Sequence, residues 1–314
     1  MRVAIVGAGG VGGLLAALLS RAGEDVAVVS RGATLDALRA RGLALDSPLG
    51  RFTCRPDAAE DPAALGVADA VLVAVKAWQV AELAPRLRPL VGSETVVVPL
   101  QNGVEAPERL AAALGSAVAG ATIHVLAWQV GPAQVRHGGY PPRVTLGARG
   151  QAALAPRLAR LADALQRAGV GAKVVEDVDR ALWEKLMLVE PWGAVGAAAR
   201  APVGVLCSVA PTRALLRGAI GEVGAVARAR GVALPEGVED ATLAALEAIT
   251  PEATVSMQRD LGQGLRSELD DQTGAVVRLA GPAGVPVPIH AALHAALAPQ
   301  AWAAFGRIPA FPRT

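Results

Sequence analysis

RVAIVGAGGVGGLLAALLSRAGEDVAVVSRG, residues 2–32, decides the fold of this chain. Arg2 to Val6 is a β-branched apolar run, the pattern of a strand buried in a parallel sheet. GAGGVGG follows, then a helical stretch, LLAALLSRAG, closed by Gly23 at the place of a C′ glycine. DVAVV, residues 25–29, reads as a second strand, so the stretch is one βαβ unit of about thirty residues. Residues 3–19 carry no charge and could be taken for a signal peptide or a short membrane span. Five glycines between residues 7 and 13, with one basic residue ahead of them, fit a strand, a glycine turn and a helix instead.

Within that unit Gly7, Gly9 and Gly12 form a GxGxxG that follows a strand and opens a helix. The first glycine allows the tight turn, the second lets a pyrophosphate approach the backbone, and the third lets helix and strand pack closely. Ala8, Gly10 and Val11 complete the loop, and the helix start offers free N–H groups and a partial positive charge to phosphate. A dinucleotide is the expected ligand. The second strand ends in Ser30 and Arg31, with no carboxylate to hold a ribose 2′-hydroxyl; a guanidinium there suits a 2′-phosphate, which points to NADP(H).

Further along, residues 42–56 read as a hairpin or meander around Ser47-Pro48-Leu49-Gly50. Residues 68–76 and 94–103 read as buried strands, with helical connections. Strand-like segments at 117–130, 133–139 and 143–148, a helix over 151–168 and a strand at 172–176 end the alternation. From Asp179 onward only helical periodicity remains. The expected fold is α/β: a Rossmann-type dinucleotide-binding domain, residues 1–177, followed by an all-helical domain, residues 178–314.

Composition narrows the function. Of 314 residues 53% are hydrophobic and 18% charged, enough for buried cores and unlike a disordered chain. The net charge of +2 comes without any run of Lys or Arg, which argues against nucleic acid and for a small-molecule partner. The two cysteines, Cys54 and Cys207, lie far apart with no ligand spacing, so neither a disulfide framework nor a metal site is expected, and the default setting is cytoplasmic. No membrane partner is expected; the apolar supply of the helical half would serve a homodimer.

Lys76 stands at the end of one predicted strand and Asn102 at the end of the next, where open α/β sheets bind ligands. In order along the chain, GAGGVGG, SRG, KAWQ, PLQNGVE, WEKL and SMQRDLGQGLRSELD resemble the ketopantoate reductase (2-dehydropantoate 2-reductase) family, from Gly7 to about Gly274. The resemblance implies NADPH-dependent reduction of a 2-oxo acid, ketopantoate to pantoate in pantothenate biosynthesis. It implies that Lys76 and Gln79 lie near the adenosine phosphate, that Asn102 touches nicotinamide and substrate, and that Lys185 is the proton donor. It further implies that Ser256 binds substrate and that Glu268 is an acid beside the cofactor. An ammonium near a ketone oxygen stabilises charge during hydride delivery and then supplies the proton, which accounts for a lysine in the apolar run ALWEKLMLVEPWG.

Other residues have plainer readings. Ser267 reads as an N-cap with acids in the first turn. His124 reads as a core histidine, and His290 and His294 as surface histidines. The chain also departs from the family. Positions where members carry substrate-binding asparagines hold Val189, Gly193 and Val203. Pro191 should kink the helix, and Glu190, about 140° around from Lys185, is no obvious partner for it. Either ketopantoate is held by Asn102, Ser256 and backbone, or the substrate is another, more apolar 2-oxo acid or ketone. A non-catalytic NADPH-binding protein is a third reading, opposed by the presence of Lys185, Asn102 and Ser256.

Overall fold

The computed structural model describes residues 1–308. The chain forms two compact units, Met1–Gln101 with Ala106–Ala181, and Asn102–Glu105 with Leu182–Thr314.

The first unit contains β1 (Arg2–Val6), α1 (Gly10–Arg21), β2 (Asp25–Val29), α2 (Gly32–Arg41), β3 (Leu43–Ser47), β4 (Gly50–Cys54), β5 (Asp57–Ala59), β6 (Ala68–Val73), α3 (Val80–Leu83), β7 (Val91–Pro99), α4 (Ala106–Leu114), β8 (Gly120–Gly131), β9 (Gln134–Gly147), α5 (Ala155–Arg167) and β10 (Gly171–Val174). One sheet is parallel throughout, in the order β5-β2-β1-β6-β7. Central β1 is buried from Val3 to Val6, as its unbroken apolar run requires. The strand read over residues 94–103 ends at Pro99.

A second, mixed sheet runs β10-β9-β3-β4, with β8 antiparallel to β9. Its β3–β4 pair is the hairpin read over residues 42–56. Helix α1 packs on β1 and β2 of one sheet and on β3, β8 and β9 of the other. Covered on both sides, it is buried at every residue from Gly12 to Leu19, which is why it carries no charge before Arg21. Among the described residues no helix is long and apolar enough to cross a membrane. At the end of α1 Gly23 has φ +86°, and the Glu24 N–H returns to the Leu19 carbonyl at 3.1 Å, the C′ arrangement expected there.

Helix α6 (Val178–Ala199) leads into the second unit, which continues with α7 (Val203–Ser208), α8 (Ala210–Ala229), α9 (Val238–Glu247), α10 (Ser256–Gly262), α11 (Thr273–Ala283) and α12 (Pro288–Ala304). Leu186, Met187, Val195, Leu216, Ile220, Val223 and Val276 are fully covered in its core. Helix α6 continues through Pro191.

Two expectations are corrected here. Ser267 caps no helix: residues 268–272 form a turn in which the Glu268 carbonyl accepts the N–H groups of Asp271 and Gln272 at 3.1 and 2.9 Å, and α11 begins only at Thr273. Ser267 and Glu268 are buried, so these polar groups serve an interior turn rather than a solvated helix start. His290 and His294 are not surface histidines. His290 is completely buried between Glu190 and Glu222, and His294 is half-buried with Nε2 2.9 Å from Asp270 Oδ1. Nothing beside His290 in sequence discloses this, because its carboxylates lie 68 and 100 residues away. His124 is only partly buried, opposite Arg143 on β9.

Candidate active site

In the first unit the predicted cofactor residues gather at the carboxyl ends of the parallel strands. Gly7 leaves β1 with φ +97°, and its N–H donates to the Val29 carbonyl at 2.9 Å. That conformation favours glycine. A Cβ on Gly12 would lie 1.9 Å from the Gly7 carbonyl oxygen, so helix and loop can meet only without one. A Cβ on Gly10 would lie 2.4 Å from the Ala127 carbonyl oxygen, because β8 crosses the start of α1 there. Beside Gly9 there is open space, with no heavy atom within 4 Å of a Cβ. No acid occupies the first turn of α1. An open glycine at a helix start that carries no acid fits a pyrophosphate. Ala8 is buried beneath the loop and Val11 is partly covered.

Arg31 is exposed just past β2, at the N-cap position of α2 but with no capping hydrogen bond from its side chain, and the Ser30 N–H is tied to the Ala59 carbonyl of β5 at 3.0 Å. Past β6 the Lys76 N–H donates to Gln79 Oε1 at 3.2 Å and the Gln79 N–H to the Lys76 carbonyl at 3.0 Å. The KxxQ spacing thus closes a turn that presents the lysine, whose Nζ lies 5.7 Å from the centre of the Trp78 ring. Two features here were not read from the sequence. Gln101 donates from Nε2 to the carbonyls of Val73 and Val75 at 2.8 and 2.9 Å, lacing together the chain beyond β6 and β7. Ala127 and Trp128 of β8 flank the glycine loop. Gln101 sits beside Asn102 in PLQNG, a local signal; the crossing of β8 has none.

Asn102, Lys185, Ser256 and Glu268 all belong to the second unit. Gly103 has φ +99°, and a Cβ on it would lie 2.9 Å from the Asp271 carbonyl oxygen, so the segment bearing Asn102 lies against the Glu268–Asp271 turn. Glu268 is buried, with Gln272 Nε2 3.5 Å from its Oε2. Lys185 projects from α6. Burial pushes its ammonium down, the Glu268 charge partly offsets this, and the result is a pKa of about 8 against an ordinary 10.5. Ser256 opens α10, and its neighbours seat that helix on α6. A Cβ on Gly193 would meet Met257 Cε at 2.8 Å and Val255 Cγ2 at 3.1 Å, and Gln258 lies against Gly196 while donating to the Ala201 carbonyl at 2.8 Å.

Of the three positions that depart from the resemblance, Val203 is wholly buried in the core and Gly193 is covered by Met257. Val189, one turn from Lys185 on the same face, is half-buried. Among the described residues no group of three or more His, Cys, Asp or Glu is placed to hold a metal ion.

The chain as a whole is similar to known proteins. Residues 3–151 match the family described as ketopantoate reductase PanE/ApbA, and residues 177–301 its C-terminal counterpart. A 2-dehydropantoate 2-reductase of Halobacterium salinarum is 34% identical over 298 residues, covering 92% of this chain and 95% of that protein. One from Mesorhizobium japonicum is 30% identical over 310 residues, covering 92% and 94%. The crystal structure of a PanE/ApbA family ketopantoate reductase from Ralstonia eutropha superposes with a TM-score of 0.86 at 34% identity, over 96% of this chain and 98% of that one.

Proposed function

Since the chain belongs to the ketopantoate reductase family and is an NADP-dependent oxidoreductase acting on CH–OH, we propose that it reduces 2-dehydropantoate to pantoate with Lys185 as the proton donor. In the first unit Gly7 to Gly12, Arg31, Lys76 and Gln79 would hold the cofactor, and in the second Asn102 and Glu268 are the residues assigned to it by the family resemblance. Bound NADPH supplies a hydride to the substrate's C2. Asn102 and Ser256 orient the 2-oxo acid. The carbonyl oxygen gains negative charge as C2 is reduced, and the Lys185 ammonium stabilises that charge and transfers its proton to the oxygen. Lys185 is then recharged from solvent.

The observation that carries the reading is the placement of Lys185. It is buried enough to lose its proton near pH 8 yet faces the charge of Glu268, which keeps the acid form populated at neutrality. The test is NADPH oxidation with 2-dehydropantoate, run for the wild type and for Lys185→Ala. Loss of general acid catalysis should cut turnover by roughly 10²- to 10⁴-fold while NADPH still binds. Wild-type turnover in Lys185→Ala would remove Lys185 from the reaction.

The Lys185 face supports a second reading of the substrate. Val189 supplies no hydrogen bond, and Met257 fills the space beside Gly193. These surfaces suit a 2-oxo acid or ketone with a more apolar chain. A panel of such substrates beside 2-dehydropantoate decides between the two by their relative kcat/KM, because a pocket built to hydrogen-bond the hydroxylated chain would strongly reject analogues lacking that hydroxyl, and an apolar one would accept them.

A further inference from the structure

Three helices of the second unit meet at one buried histidine that the proposed reaction does not use. His290 lies in the first turn of α12 and is 0% exposed. Its Nε2 is 2.7 Å from Glu190 Oε2 on α6, and its Nδ1 is 2.6 Å from Glu222 Oε2 on α8. Glu222 also accepts the backbone N–H groups of Ile289 and His290 at 2.8 and 2.9 Å, so one carboxylate caps α12 and grips its histidine. Glu190 is likewise 0% exposed, and its other oxygen, Oε1, has no hydrogen-bond partner.

A neutral imidazole has a single N–H and can donate to one carboxylate only. With both ring nitrogens at hydrogen-bond distance from carboxylate oxygens, the triad has to hold one proton more than a neutral ring between two carboxylates would carry. Burial opposes a charged ring, but the Glu190 charge and the hydrogen bonds to Glu190 and Glu222 outweigh it and hold His290 at about 9. Without the imidazolium, Glu190 would be a buried carboxylate with no partner, an expensive state.

Glu190 is five residues from Lys185 and immediately precedes Pro191. Proline has no N–H for the Met187 carbonyl, so α6 loses a rung of its ladder in the turn that follows the lysine. We infer that Glu190 and His290 are positioning residues for Lys185: the ion triad ties this stretch of α6 to α8 and α12, doing through side chains what the backbone cannot do at Pro191. The inference rests on Lys185 being the proton donor.

The test measures kcat per folded enzyme, at saturating substrate and NADPH, for Glu190→Leu and Glu190→Gln, together with imidazole nitrogen NMR of the wild type. Glu190→Leu is expected to lower kcat at least tenfold with KM for NADPH unchanged, and Glu190→Gln, which keeps an acceptor for Nε2–H, to recover to within threefold of the wild type. The NMR spectrum at pH 7.5 is expected to show both His290 nitrogens protonated. A folded Glu190→Leu with a lower melting temperature but wild-type kcat overturns the inference, as does a bare nitrogen on His290. If Glu190→Leu does not fold, His290→Gln takes its place, and wild-type kcat there is equally fatal. Lys185→Ala run alongside separates the two ideas. If it keeps full turnover the proton-donor reading falls; if it is inactive while the Glu190 variants match the wild type, only the positioning role falls.

Discussion

In the proposed reaction Lys185 must carry its proton to act as the acid, so its environment would set the pH range of turnover. With a pKa of about 8, lowered by burial against the partial support of Glu268, the protonated fraction falls as pH rises through 8. The chemical step should therefore slow about tenfold per pH unit above that point, a limb read from kcat with substrate and NADPH saturating. Glu268→Gln removes the charge that raises Lys185, so the limb should move to lower pH; an unmoved or upward-shifted limb would mean that another group controls it. Arg31 is the residue proposed to meet the cofactor's 2′-phosphate. Exposed past β2, it offers a guanidinium where no carboxylate stands. Arg31→Ala should weaken NADPH roughly 10- to 100-fold and leave NADH nearly unchanged, as titration calorimetry with both cofactors would record.

At the scale of elements, the loop between β1 and α1 separates two jobs that glycine performs. Gly9 faces open space with an ordinary backbone, so Gly9→Ala should fold and melt like the wild type while binding NADPH roughly tenfold or more weakly, its methyl standing where the pyrophosphate would come. Gly12 faces the Gly7 carbonyl, so Gly12→Ala should lose about 3 kcal/mol or more of folding stability before any cofactor is added. Melting curves with and without NADPH distinguish the two variants; equal melting temperatures would contradict the packing argument. This βαβ unit was legible because its signals are local: a buried run, glycines at fixed spacing, a C′ glycine. The β3–β4 hairpin was legible for the same reason. Strand β5 is three residues, DAA, too short to show a period, and the place of β9 between β3 and β10 depends on pairings that no local pattern encodes. Lys185 stood out as a lone ammonium in an apolar run, but its role, like those of Ser256 and Glu268, came only through family resemblance. The partners of His290 could not be read at all, because ion pairs across three helices leave no spacing in the sequence.

For the molecule as a whole, the pH range of stability follows from two ionic clusters in the second unit. Hydrogen bonds to His294, Arg307 and Trp302 outweigh burial and hold Asp270 at about 2, below an ordinary 3.8. A lowered carboxyl stabilises the fold above pH 3.8, and its contribution is lost as pH falls through 2. The His290 ring, raised from 6.5 to about 9, works in the opposite direction. Its contribution is present in full below pH 6.5, shrinks as the unfolded chain gives up its proton, and is gone once pH passes 9. A shift of that size on a fully buried group corresponds to on the order of 3 kcal/mol. Denaturant unfolding at pH 6, 8 and 10 should therefore show the wild type losing about that much more stability across the range than His290→Gln. The variant should be the weaker protein at pH 6 and draw level near pH 10, because by then the wild-type ring is neutral and both proteins bury Glu190 without a cation. Parallel pH dependences in the two proteins would mean that His290 holds no extra proton in the fold.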